Sequence, residues 1–506
     1  MFCRHSIRRK DKSSGGIDFL YKERKNMKGT AGRIIGNTFW LLLQRAGGRI
    51  LTLLLMIYLA RRLGSLGFGK LFFAISFTSL FLILSDLGVT TLTVREVARN
   101  KEGGPEYVGN TATLKLFLSI FTFLVISISV SFINVPFDTR FLIYLIGACS
   151  IFETMGGFFG AVFQAYEEMK YIMICEIIAK VFLISLAFVL LRLGYGLISV
   201  GIFYLLSGIL YCFLNIGFVY RKFLKPRYHI DSRFWSKSLK QALPLAIVAL
   251  ISMIYYHTDI VMLGKIKGEE VAGWYGVSYH LFFALATISG AFLSAIFPVL
   301  SRLFKESGEL LKKAFHKSFK VLVGAGIPAS VGTFLLSEKI ILFLFGPQYK
   351  HSIAALRILS FLIVFSYLNS LASYFLTSIN RQALTAKIIA VTTGINVFLN
   401  FILIPRYSYR GAAYATVVSE ILFFALIFLS VRREIPSISL LEIAKSAISS
   451  AIMGLLIIIP IKNGFNLLLI IAIGVITYSF FIWITGFITK GEKARLKNIL
   501  LGRDAE

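Results

Sequence analysis

The sequence predicts an all-α, polytopic membrane protein of about fourteen transmembrane helices, arranged as two six-helix bundles plus two extra C-terminal helices. Three observations carry that prediction. Of 506 residues, 57% are hydrophobic and 16% charged, with a mean hydropathy of +0.77; soluble domains carry about 25% charged residues to cover a water-facing surface. Apolar runs of about 20 residues, long enough to cross a bilayer core as helices, recur fourteen times. The two halves of the chain also repeat one another.

The chain opens with a basic segment, residues 1–33, that lacks the apolar stretch of a signal peptide and reads as a solvated cytoplasmic tail. Met27 is an alternative start, because the patterned sequence begins just after it. The first six-helix bundle occupies 34–221, with spans at 36–60, 68–92, 109–134, 139–163, 170–192 and 196–220. A basic cytoplasmic linker, 222–240, leads to a second bundle at 241–433, with spans at 241–264, 274–300, 320–346, 353–379, 383–405 and 411–431. Spans 441–461 and 465–488 make up the extra pair within 434–490, and 491–506 form a second cytoplasmic tail. Between spans 8 and 9, SRLFKESGELLKKAFHKSFK sets Leu303, Phe304, Leu310, Leu311, Phe315 and Phe319 against lysines, which predicts a helix lying along the membrane surface.

The repeat rests on two matches. GFGKLFF at 67–73 follows span 1 as GWYGVSY at 273–279 follows span 7, pairing Phe68 and Gly69 with Tyr275 and Gly276 at an offset of 207. Gly196 in RLGYGLISV pairs with Gly411 in RYSYRGAAY at an offset of 215. Both relate span n to span n + 6, and such duplications place a substrate path at the interface of the repeats.

The formal net charge is +29, which in a soluble protein would suggest nucleic acid. Position decides against it. Lys and Arg number 37 on the side of both termini and 11 on the other, so the sequence predicts a multi-pass protein of the cell membrane with both termini cytoplasmic. Arg61 and Arg62 dissent by opening the first external loop. The external connections are short and hold no domain. Cys3, Cys149, Cys175 and Cys212 form no C-x-x-C pair, and three lie inside apolar runs, so they read as small core residues.

GSLGFGKL at 64–71 nearly spells a phosphate-binding loop, but Leu71 replaces the magnesium-holding hydroxyl and no strand precedes it. No H-E-x-x-H or D-x-D occurs, so no metal site is expected. Gly156-x-x-x-Gly160 reads as a close helix contact within the chain.

Ionisable groups inside spans carry more information, since each costs about 2.5 to 3.5 kcal/mol at the bilayer centre unless it meets a partner or water. In the first half they are Arg45, Arg49, Asp86, Lys115, Glu153, Glu176 and Lys180; in the second, Asp259 beside His257, then Glu338, Lys339, Arg357 and Glu420. Glu176 and Lys180, four residues apart, can neutralise each other, and Glu338 and Lys339 suggest a break in span 9. Arg45 and Arg49 put like charges on one face, which calls for an anion or acidic side chains opposite. Two guanidiniums suit a phosphate or pyrophosphate clamp, each offering planar bidentate donors; pairing with Asp86 or Glu153 is the alternative. Asp86, Lys115, Glu153, Lys180, His257 and Asp259 remain candidates for the cavity or for ion coupling.

IYLARRLGSLGFGKLFFAISFTSLFLILSDLGVTTLTVREVARN resembles the start of Wzx-type polysaccharide biosynthesis flippases, oligosaccharide flippases of the multidrug/oligosaccharidyl-lipid/polysaccharide exporter superfamily. PLAIVALISMIYYHTDIVMLGKIKGEEVAGWYGVSYHL is similar to the opening of that family's second half, and the resemblance spans about residues 30–435. It implies two bundles in a V around a central cavity and transport, by alternating access, of a lipid-linked oligosaccharide on a polyprenyl (pyro)phosphate. It also implies that cavity basic residues receive the anionic head group, with Arg45 and Arg49 matching the first-helix positions. Implied partners are the substrate, membrane lipids and polysaccharide assembly enzymes; no cofactor is implied beyond H⁺ or Na⁺ coupling. The second half departs from the pattern in having few basic candidates. A cation-coupled drug or metabolite antiporter of the same superfamily is the alternative. An integral-membrane glycosyltransferase or polymerase would need catalytic carboxylates on a sizeable external loop, which the chain lacks, so no enzyme is expected.

Overall fold

A computed structural model describes residues 14–432, 439–487, 489 and 491, and for much of 14–46 the backbone alone. It is built from α-helices: α1 (Ser14–Asp86), α2 (Val89–Arg99), α3 (Gly104–Ser131), α4 (Phe137–Ala165), α5 (Met169–Arg192), α6 (Leu197–Lys222), α7 (Ser232–Lys267), α8 (Glu269–Glu306), α9 (Gly308–Phe345), α10 (Ser352–Ser360), α11 (Leu362–Ser378), α12 (Gln382–Val431), α13 (Leu440–Lys462) and α14 (Leu467–Ile484). Eleven helices among the described residues are long and apolar enough to cross a membrane, twelve if α10 and α11, bent by 45°, count as one span. Two of the eleven are double. α1 breaks at Gly64 (φ 71°) and α12 at Ser408 (φ 55°), three residues after Pro405, and counting their arms separately gives the fourteen spans read from the sequence.

Gly64 turns α1 back on itself in a left-handed conformation that costs other residues about 1 kcal/mol or more, so spans 1 and 2 form a tight hairpin. This explains why GSLGFGKL holds no phosphate loop: after the turn the segment is helical. Gly64, Gly268 and Gly346 share one end of the bundle, here called distal; the end where α1 starts and α6 finishes is proximal.

Four boundaries differ from the sequence reading. α1 begins at Ser14, so part of the basic 1–33 segment is helical, and α7 starts at Ser232, leaving 223–231 as the connection between the halves. Span 2 ends at Asp86, whose carboxylate accepts the Gly88 and Thr90 amides (3.2 and 3.3 Å); the short helix α2 follows. The expected surface helix between spans 8 and 9 is absent. Its residues form the last turns of α8 and the first of α9, interrupted only at Ser307, and Leu311, Phe315 and Phe319 are buried in the core. Nor does α9 break at Glu338 and Lys339; Lys339 donates to the Phe465 carbonyl (3.2 Å) and Arg357 faces Glu338 at 3.8 Å.

Within the first half α4 packs along α6. A Cβ on Gly156 would lie 2.6 Å from the Tyr211 ring, and one on Gly160 3.3 Å from Asn215 Oδ1, so the G-x-x-x-G pair makes an internal helix contact. α13 and α14 pack on α9 through Leu336, Met453, Ile457 and Ile470. The halves meet at both ends. At the proximal end Ala242, Trp235 and Leu239 of α7 pack with Val89, Leu92, Leu114 and Leu118 of α2 and α3, and the Trp235 indole donates to the Asn110 carbonyl (3.3 Å). At the distal end the contact is closer. A Cβ on Gly69 would fall 1.9 Å from the Glu269 carbonyl oxygen, and one on Gly273 2.5 Å from the Ser65 carbonyl oxygen, so α1 and α8 touch backbone to backbone. The Tyr349 hydroxyl donates to the Ala60 and Gly64 carbonyls (both 3.0 Å), and Ser65 to Glu270 (2.5 Å). Arg61, the dissenting external arginine, donates to the Phe343 and Leu344 carbonyls at the end of α9, where a cation suits the helix dipole.

Candidate functional site: a cavity between the halves

Below the distal contact lies a cavity of about 650 Å³, lined by residues of α1, α4, α5, α6, α7 and α8. Its acidic and basic wall residues among those described are Glu153, Glu176 and Lys180 from the first half and His257 and His280 from the second.

Lys180 and Glu176 form an ion pair (2.7 Å), and Lys180 also donates to the Gly48 carbonyl (3.1 Å). Gln44 donates to the other Glu176 oxygen. Gly48 makes this approach possible, because a Cβ there would sit 2.8 Å from Glu176 and 2.9 Å from Lys180. The Gln44–Gly48 face of α1 therefore docks on α5. Among the described residues no cation lies within ion-pair distance of Glu153, which is exposed and lines the cavity. His257 and His280 stand on adjacent helices, and the His280 ring packs against Phe72 of the first half (4.7 Å).

Other expected site residues lie elsewhere. Arg49 is exposed and is not part of the cavity wall; the Arg45 side chain lies outside the described residues. Asp86 and Lys115 leave the cavity: they pair at 2.5 Å with Lys115 fully buried, and Lys115 also donates to Thr90 (3.0 Å). Their role in the structure is to hold the joint between α1 and α2 against α3.

Asp259 is buried inside the second half, away from the cavity wall. It accepts hydrogen bonds from Asn400 Nδ2 (2.6 Å), the Thr416 hydroxyl (2.8 Å) and the Tyr275 hydroxyl (2.9 Å). Asn400 also donates to Asn396 (3.0 Å), and Asn400 Oδ1 has no partner. A carboxylate held by two hydroxyls and one amide N–H, with one amide carbonyl oxygen to spare, is chemistry that suits a proton or a hard cation. No group of three or more His, Cys, Asp or Glu side chains that could hold a metal occurs among the described residues. Glu420, another carboxylate with no ion-pair partner among the described residues, accepts from Tyr255 and from Asn369 (both 2.6 Å).

The sequence reading missed His280, Asn396, Asn400 and Thr416. Asn396 and Asn400 did leave a signal: two amides four residues apart share one helix face, and an apolar span has no other reason to hold them.

Residues 34–304, more than half the chain, match the family described as polysaccharide biosynthesis protein. The chain belongs to that family. Residues 244–402 also match the MatE family. Among its relatives, a putative O-antigen transporter of Shigella flexneri is 21% identical over 77% of this chain and 95% of its own length. The probable low-salt glycan biosynthesis flippase Agl15 of Haloferax volcanii is 23% identical over 72% and 76%. A solved structure titled lipid II flippase MurJ, inward closed conformation, superposes with a TM-score of 0.71 at 18% identity, covering 88% of this chain and 98% of that one. The shared fold is that of two bundles facing each other across a cavity.

Proposed function

We propose that this protein flips a polyprenyl-(pyro)phosphate-linked oligosaccharide from the cytoplasmic to the outer leaflet of the cell membrane, supplying polysaccharide or glycan assembly enzymes. The observation that carries this reading is the cavity between the two halves, whose distal end is held shut by contacts that can separate, in a chain of the polysaccharide biosynthesis family. The bias of Lys and Arg supports a cytoplasmic proximal end, so the state described is closed to the outside. Rocking the bundles would part the Gly69–Gly273 contact and expose the cavity outward.

Arg45 and Arg49 lie on α1, proximal to the cavity, where the lipid phosphates would dock while the sugars enter the cavity and the prenyl tail stays in lipid. Asp259 and its ring of donors would bind the coupling H⁺ or Na⁺. The test is translocation of a fluorescent lipid-linked oligosaccharide in proteoliposomes. Wild-type protein is expected to move it, and Arg45→Ala and Arg49→Ala to slow it about tenfold each, the loss expected from one charge-assisted contact of about 1.4 kcal/mol. Wild-type rates in both variants would overturn the clamp. The MatE match and the unpaired Glu153 favour one second reading, export of a cationic compound; ethidium efflux abolished by Glu153→Gln, with no glycan movement, would establish it.

A further inference from the structure

Two features of the cavity wall have no part in holding a phosphate. The first is its charge. Among the described residues Glu176 is neutralised by Lys180, no arginine lines the wall, and Glu153 lines it with no cation at ion-pair distance, so with neutral imidazoles that wall carries one net negative charge. The second is a pair of partly exposed aromatic rings on the opposite wall. Tyr256 of α7 and Phe283 of α8 meet edge to face at 5.6 Å, yet remain 41% and 39% exposed while lining the cavity. Aromatic side chains of this size normally bury themselves; here Tyr255 packs on Tyr256 (5.5 Å) and Tyr279 on Phe283 (6.4 Å), and the remaining surface of each ring stays exposed.

A phosphate or a carboxylated sugar is repelled by such a wall. A neutral pyranose suits it, because its C–H face can lie on an open ring while its hydroxyls donate to a carboxylate. An amino sugar adds a cation that both Glu153 and the ring faces attract. Resting on the transport reading above, we infer that the cavity is the glycan-selecting chamber, with Tyr256 and Phe283 as its stacking platform and Glu153 as its charge filter. It admits neutral or amino sugars next to the lipid phosphates and rejects uronic acids. Binding is thereby divided: the anionic carrier is held outside the chamber, and the sugars are read inside it.

The test uses the full chain in proteoliposomes with three polyprenyl-pyrophosphate carriers of equal glycan length, one neutral, one with a glucosamine and one with a glucuronate. Wild type is expected to move the neutral and amino carriers at least about tenfold faster than the glucuronate, a modest effect for like charges a few ångströms apart in a protein interior. Glu153→Gln is expected to shrink that ratio to about twofold, on the same Coulombic ground. Tyr256→Leu is expected to shrink the affinity difference between glycan-bearing and bare polyprenyl pyrophosphate. Each readout is a ratio within one protein, so differences in insertion cancel, and if a variant does not insert the wild-type ratio decides. Equal wild-type rates for neutral and glucuronate carriers would overturn the filter alone. Movement of none of the three would overturn the transport reading, and the filter with it.

Discussion

Replacing Gly69 with valine should hold the distal end open. The Cβ alone would lie 1.9 Å from the Glu269 carbonyl oxygen and 2.7 Å from its carbon, both backbone atoms of α8 that cannot rotate away. The helices must therefore separate by more than an ångström to restore ordinary contact. Overpacking of this kind costs about 1 to 3 kcal/mol, and the cost falls only on the state in which α1 touches α8. An equilibrium shifted by about 2.8 kcal/mol changes its population ratio roughly a hundredfold. The assay is a proximity cross-link at the same end: Ser65→Cys with Glu270→Cys, whose native side chains are 2.5 Å apart, in a chain with its four cysteines replaced by alanine. A short reversible bis-methanethiosulfonate should join them in high yield, and Gly69→Val should reduce that yield several-fold while exposing both thiols to a water-borne maleimide. An unchanged yield would refute the claim that backbone contact at Gly69 closes this end.

Removing Lys115 as Lys115→Met leaves Asp86 without its cation and should destabilise the protein by about 3 kcal/mol, whereas adding Asp86→Asn should recover part of that loss; thermal unfolding in detergent measures both. Asp259→Asn should preserve assembly, since the amide keeps partners in Asn400, Thr416 and Tyr275, but should abolish the dependence of transport on an H⁺ or Na⁺ gradient in proteoliposomes. Tyr349→Phe deletes the donor to Ala60 and Gly64 and should raise maleimide labelling at the distal end in the same sense as Gly69→Val, by a smaller factor.

Much of the fold was legible because hydropathy is a local property: each span needs about 20 apolar residues whatever it packs against. The duplication was read from two residue matches, and the structure gives like roles to only one of them. Phe68 and Tyr275 are both fully buried, and neither Gly69 nor Gly276 has room for a Cβ. Gly196 caps α6 with open space around it, whereas a Cβ on Gly411 would lie 2.3 Å from the Leu403 carbonyl oxygen inside α12. The Glu176–Lys180 pair was readable from i, i+4 spacing. What sequence could not supply was partnership across helices. Asp86 and Lys115 meet from α1 and α3, so nothing local marked them as a buried pair rather than cavity residues. Asp259 finds its donors 16 residues on in α8 and 141 and 157 residues on in α12. α2 was hidden because its first residues extend the apolar run of span 2, and only the Asp86 cap and the left-handed Leu87 and Gly88 end that helix. The predicted surface helix failed because an amphipathic face does not say whether its apolar side meets lipid or the core. Here Phe315 meets Phe375 at 5.0 Å.

The central claim, that substrate crosses through the cavity as the distal contact opens and closes, is tested most directly by locking that contact. With the Ser65→Cys/Glu270→Cys protein in proteoliposomes, cross-linking should stop translocation of the fluorescent lipid-linked oligosaccharide, and reducing the cross-link should restore it. Translocation that continues at the uncross-linked rate while the two residues are joined would contradict the account.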